Sequence, residues 1–161
     1  QNEKDRLDAD PDYLDAKIDE IIVPRLDFET MTKLVVKSGW RKASPEERVQ
    51  LVEEFKTFLL GSYADTMTLY SDAQIAFEPF RPDSRRPEDR AVVRSVFQLP
   101  GSQPVEVDYQ LRNSDGEWLI YDIVAEGVAL VKSQQPVAAR EIRRGGIEGF
   151  LNALKKKNGT A

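Results

Sequence analysis

Carboxylate, lysine and tyrosine side chains are the groups in this sequence that could carry out chemistry, because histidine and cysteine are both absent. Without those two residue types there is no Ser-His-Asp triad, no Cys-His pair, no imidazole or thiolate zinc site and no disulfide. What remains is carboxylate chemistry, lysine or tyrosine chemistry, an all-oxygen metal site, or a protein that binds without reacting.

Two carboxylates stand in a segment that is otherwise apolar. Asp122 lies between Tyr121 and Ile123, and Glu126 directly precedes Gly127. A buried aspartate with a raised pKa could act as a general base, as in isomerases built on cone-shaped α+β folds. The alternative, which we favour, is that Asp122 holds a strand end or a hydrogen-bond network. No second carboxylate stands at a spacing that would make an acid–base pair.

Other patterns that suggest ligands have simpler structural explanations. The Gly145-Gly146 pair follows a predicted helix and is typical of a helix cap, so it does not resemble a phosphate-binding loop. The acidic string Asp5, Asp8, Asp10 and Asp12 lies where helices begin, and helix starts favour acidic residues. We therefore predict no metal site and no cofactor.

Composition predicts a soluble globular protein that forms one domain over residues 1–161. Hydrophobic residues make up 40% of the chain and charged residues 32%, and no apolar run approaches the length of a membrane span. The sequence starts at Gln1 without a methionine, and we expect any signal peptide to have been removed.

The net charge of -5 is unevenly distributed along the chain. Residues 1–30 contain ten acidic and four basic side chains, whereas residues 131–161 contain two acidic and seven basic ones. An acidic total argues against nucleic acid as a partner. The charged ends could steer other partners, or they could be solvated helix faces, and the second interpretation is the more usual one.

Helices are predicted for the first 70 residues. Asp10-Pro11 indicates an N-cap followed by a first helical proline, and a second helix starts near Asp27 and ends at Gly39. Ser44-Pro45-Glu46-Glu47 forms a capping box that opens a long helix. This helix runs to about Tyr70 and would span roughly 35–40 Å.

Beyond Tyr70 the hydrophobic period changes from 3.6 to 2, which predicts strands. Residues 74–80 alternate weakly, and 91–99 and 105–112 form clearer strands. Residues 118–131 are apolar on both faces and predict one long strand bent near Gly127. Pro136 opens a final helical region, broken at Gly145-Gly146. The fold class is therefore α+β, with N-terminal and C-terminal helices packed on a strongly curved antiparallel sheet.

Apolar residues are abundant on both the predicted helices and the predicted strands. They could all belong to the core, or some could line a cavity between the helices and the sheet. Composition does not separate these two alternatives.

The segment from Trp118 to Val131 resembles a specific family signature. It matches W-x-x-Y-D-x-x-x-E-G-V-S-L of the MlaC family, which comprises periplasmic phospholipid-binding proteins also known as toluene-tolerance proteins. Residues 146–154 resemble the family's closing G-I-x-G-L-x-x-x-L helix, and 10–14, 40–48 and 55–70 match as well. The resemblance covers about residues 10–157, with departures at Ala129, where serine is usual, and at 133–139.

This resemblance implies a fold like that of nuclear transport factor two, with a deep apolar pocket. It implies a non-enzymatic periplasmic shuttle that carries phospholipid as cargo between the outer and inner membranes and maintains outer-membrane lipid asymmetry. The implied partners are an inner-membrane ABC transporter complex with an MCE-domain subunit and an outer-membrane lipoprotein–porin complex. Two alternatives stay open: a carrier of hopanoid or another polycyclic lipid, and a small-molecule isomerase of the same fold that uses Asp122 or Glu126.

Such a carrier needs apolar walls, because two acyl chains hold about 30 methylenes, whose exposure to water costs about 24 kcal/mol. We expect Arg90 and Arg94 to bind the head group at the mouth. The expected wall residues are Phe28, Met31, Leu34, Phe58, Met67, Val107, Tyr109, Trp118, Ile120, Ile123, Val124 and Val128.

Overall fold

The structure, a computed structural model, describes residues 3–159 of the chain. Helices come first, a sheet follows, and a last long helix closes the chain, which confirms the α+β fold class. The helices are α1 (Glu3–Ala9), α2 (Pro11–Lys17), α3 (Phe28–Val36), α4 (Gly39–Lys42), α5 (Pro45–Leu69) and α6 (Gln135–Asn158). The strands are β1 (Gln74–Phe77), β2 (Arg90–Gln98), β3 (Val105–Ser114), β4 (Glu117–Ala125) and β5 (Val128–Ala129).

The predicted helix starts are confirmed by their caps. The Asp10 side chain accepts a hydrogen bond from the Tyr13 amide, and the Asp27 side chain caps α3 in the same way. Ser44 and Glu47 form the complete capping box that opens α5, whose 25 residues span roughly 37 Å. The N-terminal region is more segmented than expected, because a π-helical turn and a 3-10 turn separate α2 from α3.

Gly39 does not end α3, contrary to the prediction. The chain turns out of α3 at Lys37, which adopts a φ of 54°, and Gly39 begins the short helix α4. Packing requires glycine at position 39, since a Cβ there would lie 2.9 Å from Cγ1 of Val36. The close approach, rather than a cap, explains this residue.

The five strands form one antiparallel sheet in the order β1-β2-β3-β4-β5. Residues opposite each other in neighbouring strands, such as Phe97 and Val105, share a face of the sheet. The described pairing has one register shift, between Gln110 and Leu111. A strongly curved sheet would need more such irregularities. The predicted strong curvature was therefore overstated.

The long bent strand predicted for residues 118–131 is instead a hairpin. β4 ends at Ala125, and β5 returns antiparallel to it, with Ala125 opposite Val128. Glu126 and Gly127 both have positive φ values, of 51° and 79°, as a two-residue type I′ turn requires. The chain therefore reverses at the point where a bend was expected.

The hydrophobic core lies among α3, α5 and α6. Its centre includes Met31, Leu51, Phe55, Phe150 and Leu154, all of them nearly inaccessible to solvent. Helix α6 breaks at Gly145 and Gly146 as predicted, since both have non-helical backbone angles. Within residues 3–159, no helix is both long enough and apolar enough to cross a membrane.

Candidate functional site

A cavity of about 560 Å³ lies between the helices and one face of the sheet, which we call the inner face. Its volume is within the range usual for ligand-binding cavities. Most of its lining is apolar, and the exceptions are three tyrosines, a threonine and a glutamate. The lining residues are Leu26, Phe28, Met31, Leu59, Leu60, Tyr63, Thr66, Met67, Tyr70, Phe97, Val105, Val107, Tyr109, Ile123, Ala125, Glu126, Val128, Leu130 and Val131.

The sheet wall of the cavity follows from strand alternation. Val105, Val107 and Tyr109 are spaced two apart on β3, so their side chains point to the same face. Val107 stands opposite Ala125, and Tyr109 opposite Ile123, on β4. Because opposite residues share a face, these side chains form a continuous apolar surface on the inner face.

The helical wall comes mainly from the C-terminal half of α5. Leu59, Tyr63 and Met67 recur every four residues, which places them on one face of the helix, and the C-cap residue Tyr70 continues this spacing. The Tyr70 ring meets the Phe97 ring edge-on, with 5.8 Å between the ring centroids. This contact joins the end of α5 to strand β2 at one side of the cavity.

We place the opening of the cavity between α5 and the β4–β5 turn, because the exposed lining residues lie there. Three of its lining residues are exposed to solvent: Thr66 on α5, Glu126 in the turn and Val128, which is 54% exposed. The remaining lining residues are buried or half-buried. These three residues therefore mark the mouth.

Two tyrosines in the less exposed part of the lining, Tyr63 and Tyr109, have a raised hydroxyl pKa. Burial raises the pKa of Tyr63, and the negative charge of Asp122 raises it further. Burial also raises the pKa of Tyr109, although a hydrogen bond with the Ser95 hydroxyl opposes the shift. Both phenols therefore stay protonated and uncharged at neutral pH, which suits an apolar cavity.

Asp122 does not line the cavity and has a structural role. Its side chain is almost completely buried, and the residue is 4% exposed. The carboxylate accepts backbone hydrogen bonds from Ile123 and Val131, both at 2.8 Å, and from Lys132 at 3.1 Å. This is the hydrogen-bond network that we favoured, and it ties the chain after β5 back to β4.

Comparison with known proteins identifies the family. Residues 1–156 match the family model described as MlaC protein. The chain belongs to the MlaC family. The resemblance inferred from the signature strand is thereby confirmed.

Two curated relatives of this MlaC-family protein match nearly the whole chain. It is 22% identical over 161 residues to the intermembrane phospholipid transport system binding protein MlaC of Haemophilus influenzae, covering 97% of this chain and 73% of that protein. It is 24% identical over 160 residues to toluene tolerance protein ttg2D of Pseudomonas putida, covering 95% and 73% respectively.

A solved structure has the same fold. The phospholipid-binding protein from Ralstonia solanacearum, determined in complex with a phospholipid, superposes with a TM-score of 0.83 at 30% sequence identity. The match covers 97% of this MlaC-family chain and 90% of the Ralstonia chain.

The structure brings seven of the twelve expected wall residues of this MlaC-family protein to the cavity. They come from α3, α5 and the three strands of the sheet wall. They are Phe28, Met31, Met67, Val107, Tyr109, Ile123 and Val128.

The other five expected wall residues lie elsewhere. Val124 points to the outer face of the sheet, because its neighbours Ile123 and Ala125 point inward. Trp118 is 42% exposed and lines a separate cleft. Ile120 lies where β4 bridges to Leu26, beyond the register shift.

The two helical residues among these five face the core instead. Phe58 stacks on Phe55, with 6.0 Å between the ring centroids, on the side of α5 that meets α6. Leu34 packs against the core between the helices, and its carbonyl accepts a hydrogen bond from Gln135.

The arginines expected at the head group are placed across the sheet from the cavity. Arg90 and Arg94 line a cleft on the outer face, formed with the loop at residues 80–88. Arg90 pairs with Asp89 at 2.6 Å, and Arg94 lies 3.8 Å from Asp108. Strand alternation explains this placement, since Phe97 points inward and Arg94 is three residues away.

Sequence reasoning missed much of the helical wall, including Leu60, Tyr63, Thr66 and Tyr70. The signal was present, because Tyr63, Met67 and Tyr70 lie on one face of α5 at helical spacing. What was missing was the knowledge that this face leaves the core halfway along the helix.

Proposed function

We propose that this protein binds a phospholipid with its acyl chains in the cavity and carries it between the outer and inner membranes. The observation that carries the proposal is the apolar cavity of about 560 Å³ with a mouth open to solvent. The phospholipid bound to the Ralstonia relative supports this assignment.

The same proposal assigns residues 1–161 to a single lipid-binding domain that works in the periplasm. Its partners are an inner-membrane ABC transporter complex with an MCE-domain subunit and an outer-membrane lipoprotein–porin complex. The name of the Haemophilus relative, which refers to intermembrane phospholipid transport, supports this role. The protein acts by binding and release, and the cavity requires no reacting group for that.

The physical advantage of such a carrier is the transfer free energy of the acyl chains. Each methylene moved from water to an apolar site contributes about 0.8 kcal/mol. Two acyl chains hold about 30 methylenes, so their complete transfer from water to an apolar site contributes about 24 kcal/mol.

The isomerase alternative has little support in this geometry. Asp122 is held by three backbone amides and lies outside the lining, so it does not reach a molecule in the cavity. Glu126 does line the cavity, but it stands in an exposed turn at the mouth.

Organic extraction of the purified protein, together with native mass spectrometry, tests the proposal. We expect a bound phospholipid, and we expect delipidated protein to take up phospholipid from vesicles. A bound polycyclic lipid would replace phospholipid as the cargo. Protein that contains no lipid and takes up none from vesicles would contradict the proposal.

A further inference from the structure

We propose that Glu126 makes the cavity prefer lipids whose head group carries an ammonium over lipids whose head group is only anionic. The proposal rests on the proposed carrier function and adds the class of phospholipid that the protein takes up. It concerns the charge at the mouth, where the head group must lie.

Glu126 is the one charged side chain among the described residues that line the cavity. It occupies the first position of the β4–β5 turn, between Ala125 and Val128, which line the cavity on either side. Its backbone amide donates a hydrogen bond of 3.1 Å to the Glu106 carbonyl, which fixes the turn on the neighbouring strand. Glu126 is exposed to solvent, in the turn that marks the mouth.

Among the described residues, no lysine or arginine lines the cavity. The Lys56 ammonium lies 5.6 Å from the centroid of the Phe28 ring, and Arg25 and Lys132 are sequence neighbours of the lining residues Leu26 and Val131. Arg90 and Arg94 lie in the cleft on the outer face of the sheet. A phosphate at the mouth therefore meets no arginine or lysine of the described lining.

A lipid head group has to stay at this mouth. The lining inside it offers apolar side chains and uncharged hydroxyls, and burying a charged head group among them without a partner is costly. A head-group ammonium at the mouth is attracted to Glu126, whereas a head group with phosphate as its one charge is repelled. Because the two unit charges interact in a partly solvated environment, we expect the ammonium-bearing lipid to be preferred by roughly threefold to tenfold.

The experiment measures competition between two lipids in one vesicle. Delipidated protein is incubated with vesicles of equal parts phosphatidylethanolamine and phosphatidylglycerol with identical acyl chains, and the bound lipids are quantified by native mass spectrometry. Because both lipids share one surface, the attraction or repulsion between protein and vesicle cancels in the ratio.

Three variants separate the effect of Glu126 from general charge. Glu126→Gln should bring the ratio of bound lipids close to one, and Glu126→Lys should favour phosphatidylglycerol. The matched control Glu117→Gln removes an exposed carboxylate at the opposite end of β4 and should keep the wild-type ratio. Since the Debye length falls to about 3 Å at 1 M salt, high salt should also reduce the wild-type preference, and this measurement needs no variant.

Each outcome decides the proposal. A wild-type ratio of one or lower overturns it, and so does a preference that Glu126→Gln leaves unchanged. Uptake of both lipids without preference would leave the carrier function standing. Failure to take up either lipid would overturn the carrier function and the selectivity together.

Discussion

Filling the cavity from the sheet side should strongly weaken lipid binding and leave the fold intact. Ala125 lines the cavity on β4, opposite Val107 and Val128. It is a small side chain that faces open space, so Ala125→Trp can place an indole in the cavity without displacing the core. The core lies mainly among α3, α5 and α6, away from this strand.

The expected loss of affinity follows from the volume that the indole occupies. Tryptophan adds about nine heavy atoms to alanine, and room for about nine methylenes at about 0.8 kcal/mol each amounts to about 7 kcal/mol. If the acyl chains recover half of this by shifting toward the mouth, about 3.5 kcal/mol is lost, which weakens binding roughly 300-fold.

The assay is retention of phospholipid after purification and uptake from vesicles, both quantified by native mass spectrometry. Ala76→Trp is the matched control, because it makes the same substitution on the sheet. Ala76 pairs with Val96 on β2, and that register places both on the outer face, opposite to the cavity. We expect the control to bind lipid like the wild type.

Wild-type lipid content in a folded Ala125→Trp protein would refute the assignment of the acyl chains to this cavity. Equal loss of lipid in both variants would show that the indole acts through the sheet as a whole. Circular dichroism and urea unfolding establish that the variants are folded, so that a loss of lipid is not a loss of structure.

Three further predictions concern the stability of the fold that surrounds the cavity. Asp122→Asn replaces one acceptor oxygen of the buried network with a donor, and should lower the free energy of unfolding by about 2–4 kcal/mol in urea titrations; an unchanged midpoint would contradict the structural role. Ser44→Ala removes half of the capping box of α5 and should cost about 0.5–2 kcal/mol in the same assay, whereas no change would show that the cap is redundant. Burial tends to raise the pKa of Asp27, but hydrogen bonds from Thr30 and the Arg112 guanidinium outweigh it and hold the pKa below its ordinary value. The ionised Asp27 therefore stabilises the fold above about pH 4, and this stabilisation is lost as the pH falls through the folded-state pKa. The difference in the free energy of unfolding between wild type and Asp27→Asn should narrow from about pH 7 to about pH 3. A constant difference would contradict this prediction.

The helices were the most predictable part of the fold. The caps at Asp10, Asp27 and Ser44 are local, because each depends on residues within one turn of the helix start. The prediction was wrong at Gly39, where the need for glycine comes from packing against Val36. That contact depends on the three-dimensional course of the chain, which spacing does not reveal.

The positions of the strands were predictable. The chain reversal after β4 and the face of the sheet to which each side chain points were less so. Glu126-Gly127 makes a tight reversal, yet glutamate is uncommon at positive φ, so the sequence suggested a bend within one strand. Alternation alone also left open which face of β4 meets the helices. The inward position of Ile123 and the outward position of Val124 depend on the pairing with β3.

The division between core and cavity was hidden because one helix contributes to both with the same residue types. In its N-terminal half, α5 buries Leu51 and Phe55 against the helical core. In its C-terminal half, Tyr63 and Met67 turn similar apolar surface toward the cavity. The hydrophobic period continues through both halves, because a protein core and an acyl chain demand the same apolar surface. The emphasis shifts from core to cavity along a helix of roughly 37 Å, with Leu59 in both, and composition does not record that position.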